Sequence, residues 1–201
     1  MRIGISLNEV LRDFIGQVAY THDKYLGEFD IEESPITDFD LLKHPILKKS
    51  FKDERELNKF MYNDHPLEIF GHNDQTHDTI SVKLNKFLLD IDDEEEHEVE
   101  IVSREINKSI GATFFFLSKT IMNCSRLRFI TSHVDEWDGV DVLITANPIA
   151  LKNKPKGKIA VKVNAPYNEK SKADYTIDNL MEFMEDEDFR DEILESNTVN
   201  N

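Results

Sequence analysis

The sequence predicts an α/β fold: a mostly parallel sheet with helices on both faces and a small, mainly helical cap insertion. Three observations predict it. Apolar strand-like segments alternate with segments of helical periodicity. More than sixty residues separate the first helix from the second strand, too many for a loop. Hydrophobic residues make up 39% of the 201 residues, 13 Phe among them, which is enough to build a core.

Taken in order, residues 2–7 form a short apolar strand that ends in small polar residues. Residues 9–26 have helical periodicity, with Val10, Phe14, Val18 and the Tyr20–Tyr25 region recurring on one face, and Gly27 is a stop signal. Residues 28–90 are polar and irregular. They hold helical candidates at 54–62 and 79–89 and turns near Pro35, Pro45 and Pro66. Residues 98–103 form a strand, and 107–122 a strong helix carrying Ile110, Phe114, Phe115, Leu117 and Ile121. Strands follow at 127–131, 140–145, 158–163 and 175–177, and a helix begins at 178 with Asp178 as N-cap. This alternation describes a Rossmann-like core at 1–27 and 98–190, interrupted by a cap at 28–97 and followed by an acidic, polar tail at 191–201.

The charge is −16 and concentrated. Residues 90–100 hold eight acids without a Lys or Arg, and 178–195 hold nine against Arg190 alone. Neither run has the Gly and Glu spacing of a calcium-binding loop, so both read as solvated surface. The charge argues against nucleic acid and anionic membranes as partners, because both are polyanions. Cys124 stands alone and makes no intramolecular disulfide. No apolar run reaches membrane-spanning length, and the first residues lack the apolar stretch of a signal peptide. A cytoplasmic or virion location is expected, neither secreted nor in a membrane.

The opening Ile3-Gly4-Ile5-Ser6-Leu7-Asn8-Glu9-Val10-Leu11 resembles motif I of the haloacid-dehalogenase-like phosphatase superfamily, an apolar strand followed by Asp-x-Asp. Val99-Glu100-Ile101-Val102-Ser103 resembles motif II, a strand ending in Ser or Thr. Val142-Leu143-Ile144-Thr145-Ala146-Asn147-Pro148 resembles motif IV, where the strand normally ends in acids. The short cap, the Asn-Pro after motif IV and Pro166-Tyr167-Asn168 are similar to the deoxyribonucleotidase-like branch. The resemblance covers most of the chain through the order and spacing of the motifs.

The departures fall on the chemistry. The resemblance places the nucleophilic Asp at Ser6, the acid/base Asp at Asn8 and the magnesium acids at Thr145 and Ala146. No Lys occurs between Lys119 and Lys152, where motif III should supply one. Of the chemical set only Ser103 survives. Magnesium uses charged oxygen ligands, and Asn is neither acid nor base. Ser6 would need an activating base, and nothing at the expected positions offers one. The expectation is therefore no catalytic residue, no metal site and no cofactor, with magnesium binding lost.

The leading functional expectation is a catalytically inactive protein of this fold, serving as a binding or structural subunit. Protein partners, self-assembly or a virus particle are its settings, since nucleotidase-like proteins of this kind also occur in phage genomes. The alternative is a divergent phosphatase or 5′-nucleotidase, or a protein that binds a nucleotide without cleaving it. Ser6, Asn8, Ser103 and His133 are the ligand-binding candidates, because crevices lie at strand carboxyl ends. Trp137 and Phe70, with Tyr62, are candidate aromatic anchors of an interface, and Lys154 and Lys156 of the basic loop at 152–158 are candidate charged contacts. Of three successive Phe at 114–116, at least one must point away from the sheet. His72 and His77 read as parts of a polar turn rather than as metal ligands.

Overall fold

The register of six strands decides where a site can form. In the computed structural model these are β1 (Arg2–Ser6), β2 (Glu98–Arg104), β3 (Leu127–Ile130), β4 (Val142–Thr145), β5 (Ile159–Val163) and β6 (Tyr175–Ile177). They form one sheet in the order β3-β2-β1-β4-β5-β6, and every neighbouring pair is parallel. Residues 1–27, 29–94, 97–121, 123 and 126–196 are described. Cys124, part of the first acidic run (95–96) and the end of the tail (197–201) lie outside them. The chain leaves β1 toward β2 and β3, then returns to the other side of β1 as β4. The order reverses there, and a crevice opens at the carboxyl ends of these strands. Ser6 pairs with Val102, and Ile5 with Ile144, so Ser6, Ser103 and Thr145 end adjacent strands.

Alternation along the inner strands separates two cores. Val142 and Ile144 of β4, with Ile159, Val161 and Val163 of β5, face the larger one. There they meet apolar residues of α4 (Ile80–Glu94), α5 (Ser109–Thr120), α7 (Leu180–Glu185) and α8 (Glu187–Ser196). Leu143 and Ala160 point the other way, onto Trp137, Val140 and the short helix α6 (Pro148–Lys152). A third cluster joins α1 (Phe14–Leu26) to the segments after it. Those are a 3-10 turn at Leu41–Lys43, α2 (Pro45–Ser50), α3 (Glu54–Lys59) and π-helical turns at Phe60–Asp64 and Leu67–Gly71. The expected cap range, 28–97, thus contributes to two clusters. Residues up to Phe70 pack with α1, whereas Ile80 to Ile91 of α4 pack on the sheet.

Two boundaries differ from expectation for local reasons. The first helix begins at Phe14 and not at residue 9. The N–H groups of Leu11 and Arg12 both donate to Leu7 O, closing a tight turn, and Glu9 takes φ 62°. Asp13 then caps α1 by accepting from Gly16 N. Asn179, not Asp178, caps α7 by accepting from Met181 N. Helix α6 has no counterpart in the sequence reading, and the acidic helix begun at 178 divides into α7 and α8.

Gly4 sits where β1 crosses Val140 and Leu143; a Cβ there would lie 2.9 Å from Val140 Cγ1 and 3.2 Å from Leu143 Cδ1. Val140 is stiff at χ1 and cannot turn away cheaply. Gly4→Val should therefore destabilise the protein by about 1–3 kcal/mol in urea unfolding. Unchanged stability would contradict this packing.

Candidate functional site

Two buried polar networks fill the strand ends. The first centres on Arg12, which the turn after β1 carries back against the strand ends. Its side chain is fully buried, as is that of Glu105, and Nη2 lies 2.7 Å from Glu105 Oε1. The guanidinium also donates to Asn8 Oδ1 from Nη2 at 2.6 Å and from Nε at 2.9 Å. Nη1 donates to Thr113 Oγ1 of α5 and to Phe70 O of the cap. Its plane lies 5.0 Å from the Phe70 ring centre and 5.6 Å from that of Phe116. Ser103 Oγ and Thr113 Oγ1 both donate to Glu105 Oε1 at 2.8 Å. Asn8 and Ser103 are thus bound inside the protein.

The second network centres on Glu136, which arrives on a 3-10 turn (His133–Trp137) between β3 and β4. Arg128 anchors that turn by donating to Asp135 O and Glu136 O. The Glu136 side chain then points inward and is 7% exposed. Its Oε2 accepts from Ser6 Oγ at 2.7 Å and from Thr145 Oγ1 at 3.0 Å, and its Oε1 accepts from Asn147 Nδ2 at 2.5 Å. Asn147 is held by its second task, capping α6 ahead of Pro148. Its Nδ2 also donates to His133 Nδ1 at 2.9 Å. Ala146 is buried, and its carbonyl accepts from Asn168 Nδ2.

Between these networks and the cap lies a cavity of about 420 Å³. Ser6, Asn8, Ser103, His133 and Glu136 line its floor, and Phe14, Leu41, Leu57 and Met61 are among its apolar walls. Phe39 packs against both His133 and Tyr167 at its side, with ring centres 5.1 and 5.5 Å apart. Glu9 also borders it. Burial raises the Glu9 carboxyl from 4.5 to about 8; the N–H of Ile15, donating at 2.7 Å, opposes the rise, and the Asp13 charge adds to it. Burial, with the nearby charges of Glu9 and Glu136, raises the Tyr167 phenol well above its usual range.

No protein-family model matches the chain, and no curated protein matches it. Solved structures match its fold. One is a protein described as a haloacid dehalogenase-like hydrolase from Burkholderia xenovorans, 11% identical, covering 94% of this chain and 96% of its own, with a TM-score of 0.47. That likeness bears on neither family nor activity.

The structure brings Ser6, Asn8, Ser103, Thr145 and His133 together around the crevice. It corrects the interface candidates. Trp137 is buried under β4, with Nε1 donating to Ala150 O at 2.8 Å, because α6 folds over it. Phe70 and Tyr62 are buried too, stacked on each other with ring centres 5.0 Å apart. Lys154 is tied to Asp174 at 2.8 Å, while Lys156 is exposed. The sequence reading missed Arg12, Glu105 and Glu9 and passed over Glu136 as a loop acid. It also found no base for Ser6, where the fold places Glu136.

Magnesium does not fit these residues. Of the two carboxylates in the strand-end networks, Glu105 is paired with Arg12, and Glu136 already accepts hydrogen bonds on both oxygens. Asn8 Oδ1 faces a guanidinium. Such a cation repels a metal ion, and magnesium demands near-octahedral oxygen ligands.

The Glu9 shift carries a sign that can be measured. Near pH 4.5 and below, folded and unfolded chains both hold the proton. Between 4.5 and about 8 only the unfolded chain loses it, so stability falls through that window as pH rises. Glu9→Gln removes this titration. Its melting temperature should match the parent's near pH 4.5 and rise above it progressively up to pH 8. Parallel curves would contradict the assignment.

Proposed function

We propose that this chain is a haloacid-dehalogenase-like protein that binds a small molecule between sheet and cap without hydrolysing it. The observation that carries this reading is the buried guanidinium of Arg12 on Asn8. The position that the resemblance assigns to the acid/base holds an amide, and that amide is engaged with an internal cation. The cavity supports binding, since a walled space of this size suits a small ligand. The motif order supports the family, although its deoxyribonucleotidase-like branch and a phage origin rest on the resemblance alone.

A second reading draws on the Ser6 to Glu136 contact at 2.7 Å. It makes Ser6 a nucleophile and Glu136 its base, acting on an ester or phosphate ester. Glu136 already accepts three hydrogen bonds, two of them from Thr145 and Asn147, so its lone pairs are largely taken up by groups other than Ser6. The binding reading is therefore preferred.

A structural role within an assembly, such as a virus particle, is the other part of the proposal. Phe114 and Phe115 of α5, beside Leu67, expose apolar surface that a protein partner or a second copy could cover.

Assays with p-nitrophenyl phosphate, nucleoside monophosphates and p-nitrophenyl acetate, with and without magnesium, separate the two chemical readings. The expected result is no turnover above that of Ser6→Ala. Turnover that Ser6→Ala and Glu136→Gln both abolish would establish the enzyme reading instead.

A further inference from the structure

The cavity has the wrong charge for a phosphate ligand. Four carboxyl groups line it, those of Glu9, Asp40, Glu54 and Glu136, against a single guanidinium, that of Arg104. Arg104 is occupied: Nη1 donates to Tyr62 Oη and Nε to Thr131 O. Glu136 is a buried carboxylate (side chain 7% exposed) whose hydrogen-bond donors are all neutral. Among the described residues no Lys or Arg side chain lies within ion-pair distance of it, and His133 Nδ1 stands 3.8 Å away. A buried charge of this kind is costly unless a cation offsets it. The walls above it are aromatic and aliphatic, with Phe39 and Tyr167 in ring contact at the cavity side. Aromatic faces attract cations and repel anions.

Resting on the binding function proposed above, we propose that this cavity takes an organic cation: an ammonium group seated against the Glu136 carboxylate, on an apolar body that lies along the cap-side wall. Ser6, Thr145 and Asn147 hold the carboxylate in place by filling the lone pairs that face the protein. Phe39 and Tyr167 flank the ammonium. Leu41, Leu57 and Met61 receive the body. No bond is made or broken. Glu9, protonated near neutrality in the free protein, supplies a second negative charge if the ligand's charge draws off its proton.

The test is calorimetric titration of the full chain with three probes of one shape: benzylamine, benzyl alcohol and phenylphosphonate. Benzylamine should bind at least roughly tenfold more tightly than benzyl alcohol, and phenylphosphonate most weakly. Glu136→Gln should remove the preference for the amine over benzyl alcohol. Should that variant fail to fold, Phe39→Ala should weaken benzylamine more than benzyl alcohol. Equal affinity for amine and alcohol, or tighter phenylphosphonate binding, would overturn the proposal. So would displacement of benzylamine by millimolar MgCl₂, which would assign the carboxylates to an inorganic cation. Each of these outcomes is independent of turnover, so the cation assignment can fail while the non-hydrolysing function stands.

Discussion

The buried pair of Arg12 and Glu105 is the constraint on which the arrangement of this protein depends. One guanidinium reaches four structural units: the turn after β1 through Asn8, the end of β2 through Glu105, α5 through Thr113 and the cap through Phe70 O. Without Arg12, Glu105 would be a carboxylate with no access to water. Without Glu105, Arg12 would be a buried cation held by neutral acceptors. Pairs like this contribute little net stability against an apolar replacement, but removing one partner is expensive. Their effect is to fix geometry. Here the pair sets the turn at residues 7–12, which forces Glu9 to φ 62° and starts α1 at Phe14.

That geometry accounts for the character of the cavity. The resemblance assigns acids to the ends of β1 and β4, and the chain has Ser6, Asn8, Thr145 and Ala146 there. Negative charge has not left the region. It enters from elsewhere, with Glu136 on the β3–β4 connection, while Glu9 on the turn after β1 adds a carboxyl that burial keeps protonated up to about pH 8. Both sit against protein donors, Glu136 on Ser6, Thr145 and Asn147 and Glu9 on the N–H of Ile15.

Much of the fold was legible because parallel strands buried on both faces read as apolar runs. Ile3 to Leu7, Val99 to Val102 and Val142 to Ile144 needed no tertiary information. What was illegible depended on distance along the chain. Glu136 reaches Ser6 across 130 residues and Arg12 reaches Glu105 across 93, and no local pattern marks either pair. Helical periodicity at Val10 and Phe14 was misleading, because Val10 and Leu11 are buried by a turn as effectively as by a helix. Trp137 was a candidate anchor because acids flank it in sequence, and Phe70 because it falls in the largely polar stretch at 28–90. The elements covering them, α6 and the rings of Phe14 and Tyr62, come from other parts of the chain.

The central claim is that the strand-end polar groups serve each other before they serve any ligand. A double-mutant cycle on Arg12→Met and Glu105→Leu, read by urea unfolding, tests it most directly. Each single variant should lose about 3–5 kcal/mol, because it leaves one buried charge unpaired. The double variant should recover most of that loss. If instead the two losses add, the side chains do not act as a pair, and the account of this site is wrong.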